Sequence, residues 1–354
     1  MEEVTLLLRG NPGTEDIMAM EAREELLALE IVEQRKASGR VVARVNPRLI
    51  ERLYSMRSIH SASLLLDMAE GVPSSAEGLN FIFNRVYKSR AADYIPYAGS
   101  FAVRVTRHGD HAYTSIDIAR VAGDAIIKSS MERRGFRPEV RLSSPSVSFT
   151  LDLIEDRMYL GVSLSGEESL HRRGVRIYDH PAALKPTLAY VMLRLSGARD
   201  GDMILDPMCG GGTVAIEAAH LFPTANIVCM DVNPLHVRGA ILNALAARVY
   251  NRITFMVGDA RRLDEIMEPG SVDVIVSNPP YGIRLGSPSE VRALYRSFIR
   301  TLPTVLRPGG RATLITTEST FVIKEAKRRG MLVTHIRKVR HGDLWATILI
   351  LERQ

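Results

Sequence analysis

A glycine-rich segment that begins with an aspartate stands in the second half of the sequence, and its residue types could hold a charged ligand. It reads Asp206-Pro207-Met208-Cys209-Gly210-Gly211-Gly212-Thr213. Glycines at the start of a helix let a ligand approach the backbone N–H groups. The spacing Gly210-x-Gly212-x-x-Ala215 satisfies a loose dinucleotide fingerprint, so the glycines alone leave NAD open. Asp206 argues against NAD, because a carboxylate beside the ligand disfavours a pyrophosphate and favours a cationic amino group.

Two further aspartates follow the next two predicted strands. Asp231 precedes Val232 and Asn233, and an acidic residue at a strand end can accept both hydroxyls of a ribose. Asp259, followed by Ala260, ends the third predicted strand, and its carboxylate suits an exocyclic adenine amine. The three aspartates together predict a pocket for a ribosylated cation. S-adenosylmethionine has these parts: sulfonium, ammonium, ribose and adenine.

The fourth predicted strand is followed by the most specific motif in the sequence, Asn278-Pro279-Pro280-Tyr281. An exocyclic base amine is a poor nucleophile because its lone pair is delocalised into the ring. The Asn278 side-chain oxygen and the Pro279 carbonyl could accept from its N–H groups and stabilise the positive charge of methyl transfer. Tyr281 offers a face for stacking the base. The alternative is a rigid proline turn with Tyr281 as core filler.

The loop after this motif could act on a nucleotide. An amine inside paired RNA is reached only when its nucleotide leaves the stack. We expect the loop at 282–286 to close on the flipped base with Arg284 near a phosphate, although a solvated Arg284 is an equal alternative.

Alternating strands and helices are predicted to position these residues. Strands are expected near 203–206, 226–232, 253–259, 272–278, 312–317, 331–339 and 345–352. The alternation is typical of a doubly wound α/β sheet. Only His341, Gly342 and Asp343 join the last two strands, which leaves no room for a crossover helix. We therefore expect this sheet to end in an antiparallel hairpin.

The first half of the sequence predicts two smaller α/β units separated by a seam at 73–75. The first is expected to run strand, helix, strand, helix, with strands at 4–8 and 41–45 and with Thr14 and Asn46 as helix caps. In the second unit, a strand at 101–106 precedes a helix that Ser115 caps and that runs to about Arg133. A hairpin with strands at 147–153 and 158–164 completes it.

Composition excludes several classes of protein. The 354 residues include 46 Lys and Arg, 40 Asp and Glu, and two cysteines, Cys209 and Cys229. Two cysteines are too few for a disulfide scaffold, and no Cys or His spacing predicts a zinc site. No apolar run has the length of a membrane helix, and the start lacks a basic signal-peptide region. We expect a cytoplasmic protein without a metal.

Basic residues gather in the second unit, where 85–141 holds eleven Lys and Arg against six Asp and Glu. A positive region favours a polyanionic partner, although a solvated face is the alternative. The residues concerned include Arg104, Arg107, Lys128, Arg133, Arg134 and Arg137.

The sequence resembles the THUMP-domain RNA methyltransferases over nearly its whole length, and within them the tRNA (guanine(6)-N2)-methyltransferases. The shared motifs are 12–16, 169–176, 180–189, 206–213, 278–282, 315–318 and 341–342. The resemblance implies an N-terminal ferredoxin-like domain (1–74), a THUMP domain (75–164), a linker (165–180) and a Rossmann-fold methyltransferase domain (181–354). That last domain should have a seven-stranded, mostly parallel sheet. Gly211 departs from the family, which commonly has a serine there.

The resemblance also implies roles for residues. Catalytic contacts to the target amine are expected at Asn278, Pro279, Pro280 and Tyr281. S-adenosylmethionine contacts are expected at Asp206, Pro207, Cys209, Gly210, Gly212, Thr213, Asp231, Val232, Asn233, Asp259, Ala260 and Asn278. The N-terminal and THUMP domains are expected to hold the acceptor-stem end of tRNA, and a monomer is the expected state.

Three groups of other functions remain open at this point. Relatives that act at tRNA position 10 or on rRNA share most of these motifs. The Asn-Pro-Pro-Tyr motif also serves methyltransferases for DNA amines and for protein glutamine. A nicotinamide-dependent oxidoreductase or a catalytically silent RNA-binding protein belongs to another class altogether.

Overall fold

The computed structural model describes residues 3–166, 170, 176–180, 182–281 and 288–354. The chain divides into two compact units. The first unit comprises Met1–Gly10 and Met18–Leu170, and the second comprises Asn11–Ile17 and His171–Gln354. The predicted loop at 282–286, with Arg284, lies outside the described residues, as does part of the predicted linker.

The described residues 3–163 form eight strands and three α-helices. The strands are β1 Val4–Gly10, β2 Glu30–Arg35, β3 Arg40–Val45, β4 Ile59–Ala69, β5 Ser100–His108, β6 Glu139–Val140, β7 Val147–Ile154 and β8 Arg157–Ser163. The helices are α1 Glu15–Glu25, α2 Glu77–Lys88 and α3 Ser115–Arg134, with 3₁₀ helices at Pro47–Tyr54 and Ala91–Tyr94.

The eight strands form one sheet in the order β2-β3-β1-β4-β8-β7-β5-β6. The antiparallel pair β4 and β8 connects the strands of the predicted ferredoxin-like domain to those of the predicted THUMP domain. The sheet is therefore continuous across the predicted seam at 73–75, and the domain boundary at residue 74 stays a prediction.

A buried ion network holds this sheet together at its middle. Asp152 on β7 accepts from the guanidinium groups of Arg9 on β1 and Arg40 on β3. Arg9 also donates to Ser63 on β4 and Thr150 on β7, at 2.7 and 2.8 Å. Buried charges are tolerated when they are paired and hydrogen-bonded, and each of the three guanidinium nitrogens of Arg9 donates one of these bonds.

The predictions missed five elements of the first unit: β2, β4, α2, the two-residue β6 and the 3₁₀ helix Ala91–Tyr94. β2 has no buried side chain and therefore no alternation of apolar and polar residues. In β4, buried and partly exposed side chains do not follow the period of a strand, and in α2 apolar and polar residues are mixed. The four elements of the expected strand-helix-strand-helix start are present, with Asn46 capping the second helix, which is 3₁₀, but the expectation omitted β2 between α1 and β3. The expected Ser115 cap is wrong, because Thr114 caps α3 in a capping box with Asp117.

The second unit contains seven strands and six α-helices within its described residues. The strands are β9 Met203–Asp206, β10 Asn226–Asp231, β11 Ile253–Val257, β12 Val272–Ser277, β13 Leu306–Thr316, β14 Met331–His341 and β15 Leu344–Arg353. The helices are α4 Pro186–Ser196, α5 Thr213–Leu221, α6 Pro234–Ala246, α7 Leu263–Ile266, α8 Pro288–Val305 and α9 Ser319–Arg328. Tyr250–Arg252 and Ala260–Arg262 are 3₁₀ helices.

The strand order of this sheet is β11-β10-β9-β12-β13-β15-β14. Neighbours from β11 to β13 are parallel, whereas β15 is antiparallel to both β13 and β14. The predicted seven-stranded, mostly parallel sheet with a terminal hairpin is confirmed. The order reverses between β9 and β12, and such a switch point opens a crevice at the carboxyl ends of the strands.

No helix within the described ranges has both the length and the apolar composition that a bilayer crossing requires.

Candidate active site

A cavity of about 800 Å³ lies at the carboxyl ends of β9, β10 and β12. Most residues predicted for the site line it: Asp206, Pro207, Cys209, Gly210, Thr213, Asp231, Val232, Asp259, Ala260, Asn278, Pro279, Pro280 and Tyr281. Gly212 and Asn233 are not among the lining residues. The tertiary structure thus gathers segments spread over 76 positions into one concave surface, which is the usual form of a small-molecule site.

The glycine loop needs its glycines for conformation and for space. Gly210 and Gly212 have φ angles of 51° and 79°, which other residues adopt only with strain. A Cβ on Gly212 would lie 2.9 Å from the Cβ of Ala240. Gly212 is also the N-cap of α5, so the loop turns directly into that helix. The role of Gly212 is therefore to shape the loop from outside the cavity.

Asp206 ends β9 and is only 3% exposed. Its Oδ1 accepts from Ser277 Oγ at 2.8 Å and from Met208 N at 3.3 Å. Burial, the largest influence, raises the pKa of Asp206 to about 7, although the bond from Ser277 opposes the increase. A cation bound beside this carboxyl would favour its ionised form, because opposite charges attract strongly where water is excluded.

Asp231 ends β10, and its carboxylate is oriented from three directions. Oδ2 accepts from Gly210 N at 2.9 Å, and Oδ1 accepts from Asn233 N at the same distance. The ring Nδ1 of His236 lies 3.2 Å from Oδ1. Asn233 itself caps α6 by accepting from Leu235 N. Asn233 therefore supports Asp231 through its backbone and lies outside the cavity lining.

The expectation that Asp259 ends its strand is wrong. β11 ends at Val257, and Asp259 caps the 3₁₀ helix that follows by accepting from Arg261 N. The Arg261 guanidinium also binds both carboxylate oxygens, with Nη2 2.6 Å from Oδ2. This hydrogen bond, above all, lowers the pKa of Asp259. An adenine amine at this point would have to share the carboxylate with Arg261.

Asn278 and Tyr281 contact each other directly after β12. The Tyr281 hydroxyl donates to Asn278 Oδ1 at 2.7 Å, and Asn278 Nδ2 donates to the Ala182 carbonyl at 3.2 Å. Burial raises the pKa of Tyr281, so the hydroxyl keeps its proton. The alternative of a core-filling Tyr281 is incomplete, because the side chain both lines the cavity and orients the amide.

Three histidines that the predictions did not place in the site also line the cavity: His180, His236 and His341. The rings of His180 and His236 meet edge to face, with centroids 4.4 Å apart. Burial, followed by the nearness of His236, lowers the pKa of His180. His180 and His341 both stand in motifs that carry the family resemblance, and that was the available signal. For His236 the sequence offered no signal beyond its position three residues after Asn233.

Asn243 on α6 holds the segment before the cavity against the glycine loop. Its Oδ1 accepts from Ile177 N and Tyr178 N, and its Nδ2 donates to the carbonyls of Tyr178 and Gly211, all between 2.8 and 2.9 Å. A Cβ on Gly211 would lie 3.3 Å from Asn243 Nδ2. Gly211, where the family commonly has a serine, therefore lies tight against this amide.

Models of two protein families match the sequence. The THUMP domain matches residues 78–163, and the RMKL-like methyltransferase domain matches residues 173–347. No group of His, Cys, Asp and Glu within the described ranges could hold a metal ion.

Characterised relatives and solved structures cover nearly the whole chain. The tRNA (guanine(6)-N2)-methyltransferase of Archaeoglobus fulgidus is 33% identical over 96% of this chain and 90% of its own. The protein of that name from Thermus thermophilus is 33% identical over 97% of this chain and 98% of its own. The crystal structure of TrmN from Thermus thermophilus matches with a TM-score of 0.77 and 30% identity over all of both chains. This chain therefore belongs to the THUMP-domain RNA methyltransferases, in the family that contains the tRNA (guanine(6)-N2)-methyltransferases.

Proposed function

We propose that this protein transfers a methyl group from S-adenosylmethionine to the exocyclic N2 amine of guanosine at position 6 in the acceptor stem of tRNA. The observation that carries the proposal is the single cavity that contains both the three aspartates and the Asn278–Tyr281 motif. Its relatives at 32–33% identity are tRNA (guanine(6)-N2)-methyltransferases over nearly their full lengths.

The residues of the cavity fit S-adenosylmethionine by their chemistry. Gly210 lines the cavity without a side chain, so a ligand can lie against the loop backbone at this position. The raised pKa of Asp206 marks a buried carboxyl that a cationic amino group would stabilise. Asp231 would accept the ribose hydroxyls and Asp259 the adenine amine. When bound, the cofactor supplies an electrophilic methyl group.

Asn278 is proposed to act on the target amine. Its Oδ1 already accepts from Tyr281, and a carbonyl oxygen has a second lone pair that can accept from the guanine N–H. The Pro279 carbonyl provides a second acceptor. These acceptors stabilise the positive charge that develops on nitrogen during the transfer. The methylated amine is acidic enough to lose its proton afterwards, so no general base is needed at Asn278.

We propose that basic residues of the first unit form the RNA-binding surface, and the contacts of their side chains favour some of them over others. Arg133 and Arg134 on α3 donate to backbone carbonyls of residues 87–95, which makes them partly structural. Lys128 is exposed, with its ammonium 5.4 Å from the centroid of the Tyr87 ring. We therefore expect Lys128→Glu to weaken tRNA binding in a salt-dependent way, while S-adenosylmethionine affinity stays unchanged.

The direct test is mass spectrometry after unmodified tRNA, rRNA, DNA and protein are each incubated separately with the enzyme and labelled S-adenosylmethionine. We expect N2-methylguanosine, and RNase mapping should place it at position 6. Label at position 10, or in rRNA only, would move the substrate to another RNA site. Label in DNA or in protein glutamine would overturn the RNA assignment, and no transfer to any of these would overturn the activity.

Removal of residues 1–164 is a poor test of the RNA-binding domains. Such a truncation also removes Asn11–Ile17, which belong to the second unit. Point substitutions such as Lys128→Glu avoid this problem. We also propose that the enzyme is monomeric and acts in the cytoplasm; sedimentation equilibrium and fractionation of cells would test these two points.

A further inference from the structure

We infer that His341 is a positioning residue for methyl transfer, which orients the Tyr281 hydroxyl toward Asn278 and is itself anchored by Asn11. The inference rests on the proposed function of this same site. It assigns to His341 and Asn11 a role that the motif around Asn278 does not reveal.

The first step concerns the proton of Tyr281. The hydroxyl has one proton, and the 2.7 Å contact commits it to Asn278 Oδ1, which is an acceptor only. The ring Nδ1 of His341 lies 3.3 Å from the same hydroxyl oxygen. With its proton committed, that oxygen can only accept from His341. Nδ1 of His341 must therefore carry the proton.

The second step concerns the rotation of the hydroxyl. The O–H bond of a phenol prefers two directions in the plane of the ring. When a neighbouring group donates to the oxygen from one of these directions, the hydroxyl proton takes the other. The rings of Tyr281 and His341 meet edge to face at 87°, with centroids 6.1 Å apart. The contact of His341 Nδ1 with the hydroxyl oxygen occupies one side of that oxygen, which leaves the proton the direction that points to Asn278.

The third step concerns the orientation of the Asn278 amide. Its oxygen and nitrogen have nearly the same shape, so only hydrogen bonds decide which of them faces the target amine. Tyr281 donates to the oxygen, and the Ala182 carbonyl accepts from the nitrogen. An inverted amide would present N–H groups to the guanine amine and would repel it. The Tyr281 bond therefore keeps an acceptor at the reacting atom.

The fourth step concerns the place of His341. It is the last residue of β14, the edge strand of the sheet. Asn11 Nδ2 donates to the Arg340 carbonyl at 2.9 Å, and Arg340 N donates to the Pro12 carbonyl at 3.0 Å. Asn11 Oδ1 in turn accepts from Thr187 Oγ1 of α4 at 2.8 Å. Asn11 therefore holds the backbone immediately before His341.

The space at this contact is restricted. A Cβ on Gly13 would lie 2.1 Å from the Lys338 carbonyl oxygen, and Gly13 has a φ of 95°. Only glycine lets the segment run this close to β14. Residues from the beginning of the sequence thus support the end of the strand that reaches the cavity.

The test is a double-mutant cycle between His341 and Tyr281. We expect His341→Ala to lower kcat by about fivefold, which is the effect of losing one hydrogen bond of about 1 kcal/mol, with an unchanged Kd for S-adenosylmethionine. His341→Asn should restore most of kcat, because its amide nitrogen replaces Nδ1. His341→Ala should add nothing to Tyr281→Phe, which already lacks the hydroxyl. Asn11→Ala should lower kcat less than His341→Ala does.

The matched control is His335→Ala. His335 lies on the same strand and is half-buried beside Arg337, but it does not line the cavity. We expect its kcat to equal that of the wild type. Equal losses in both histidine variants, or additive losses in the cycle, would overturn the inference.

A second measurement does not need turnover. Nitrogen NMR of protein labelled with ¹⁵N-histidine distinguishes the two neutral tautomers, and the His341→Asn variant identifies its signals among the nine histidines. We expect a proton on Nδ1 that is lost or shifted in Tyr281→Phe. A proton on Nε2 alone would overturn the inference. If the wild type made no N2-methylguanosine, the proposed function would be wrong. The NMR measurement of the tautomer would still decide whether His341 donates to Tyr281.

Discussion

Ser277 Oγ donates a hydrogen bond of 2.8 Å to Asp206 Oδ1, and this bond joins the carboxyl ends of two neighbouring strands across 71 residues of sequence. It lies at the switch point of the sheet, beneath the cavity. It also adjusts the acidity of the carboxyl that we propose to hold a cationic cofactor, because a donated hydrogen bond favours the ionised form.

The first prediction concerns pH and Asp206. Burial raises the pKa of Asp206 from 3.8 to about 7, so ionisation costs stability as the pH rises through that interval and no further above it. A bound cation offsets this cost. We therefore expect S-adenosylmethionine affinity, measured by calorimetry, to increase with pH up to about 7 and then to level off.

Two variants test this assignment. Asp206→Asn should bind the cofactor more weakly and should lose the increase with pH. Ser277→Ala removes the bond that lowers the pKa of Asp206, so its plateau should move to higher pH. Parallel profiles for the wild type and Asp206→Asn would show that the pH dependence comes from a group other than Asp206.

The second prediction separates binding from transfer at Asn278. Asn278→Ala removes the acceptor proposed to face the target amine, so we expect kcat to fall by about 100-fold or more. The Kd for S-adenosylmethionine should stay within about threefold of the wild-type value. Calorimetry and single-turnover kinetics measure the two quantities independently. A comparable loss in both would mean that Asn278 builds the cofactor pocket.

The third prediction concerns the ion pair of Asp259 and Arg261. Asp259→Ala removes the proposed acceptor for adenine, and we expect about tenfold weaker S-adenosylmethionine binding. Arg261→Ala leaves the carboxylate and removes its competitor, so binding should be equal or tighter. Weaker binding in both variants would show that the pair acts as one unit, with Arg261 needed to place the carboxylate.

The fourth prediction concerns stability in the first unit. Burial favours a neutral Asp152, but Arg9 and Arg40 outweigh it and lower the pKa of this carboxyl. An acid with a lowered pKa stabilises the fold above its ordinary pKa, and this stabilisation is lost as the pH falls below that value. Asp152→Asn should lower the free energy of unfolding by about 3–5 kcal/mol, measured by urea denaturation at neutral pH.

Asp156→Asn is the matched control for this variant. Asp156 pairs with Arg35 at 3.6 Å with both side chains exposed, and such a pair contributes about 1 kcal/mol or less. Similar losses in the two variants would contradict the importance of the buried network.

The site was predicted well where its residues follow strands in sequence. Asp206 and Asp231 end β9 and β10, Asn278 directly follows β12, and all three residues line one cavity. Local patterns carry this information, because apolar runs mark strands, and parallel strands bring their carboxyl ends to one edge. The predicted end of the third strand is two residues too late, because β11 ends at Val257 and Asp259 is already the N-cap of the 3₁₀ helix that follows.

The sequence by itself determined the strand and helix order of the second unit, its terminal hairpin and the residue types at the strand ends. These follow from local periodicity and turn chemistry. Only the tertiary structure decided which groups meet across long separations. Asn11 reaches Arg340 over 329 residues, and Tyr281 reaches His341 over 60. Such contacts depend on the register and packing of complete strands, and hydrogen bonds between distant side chains leave no periodic signal in the sequence.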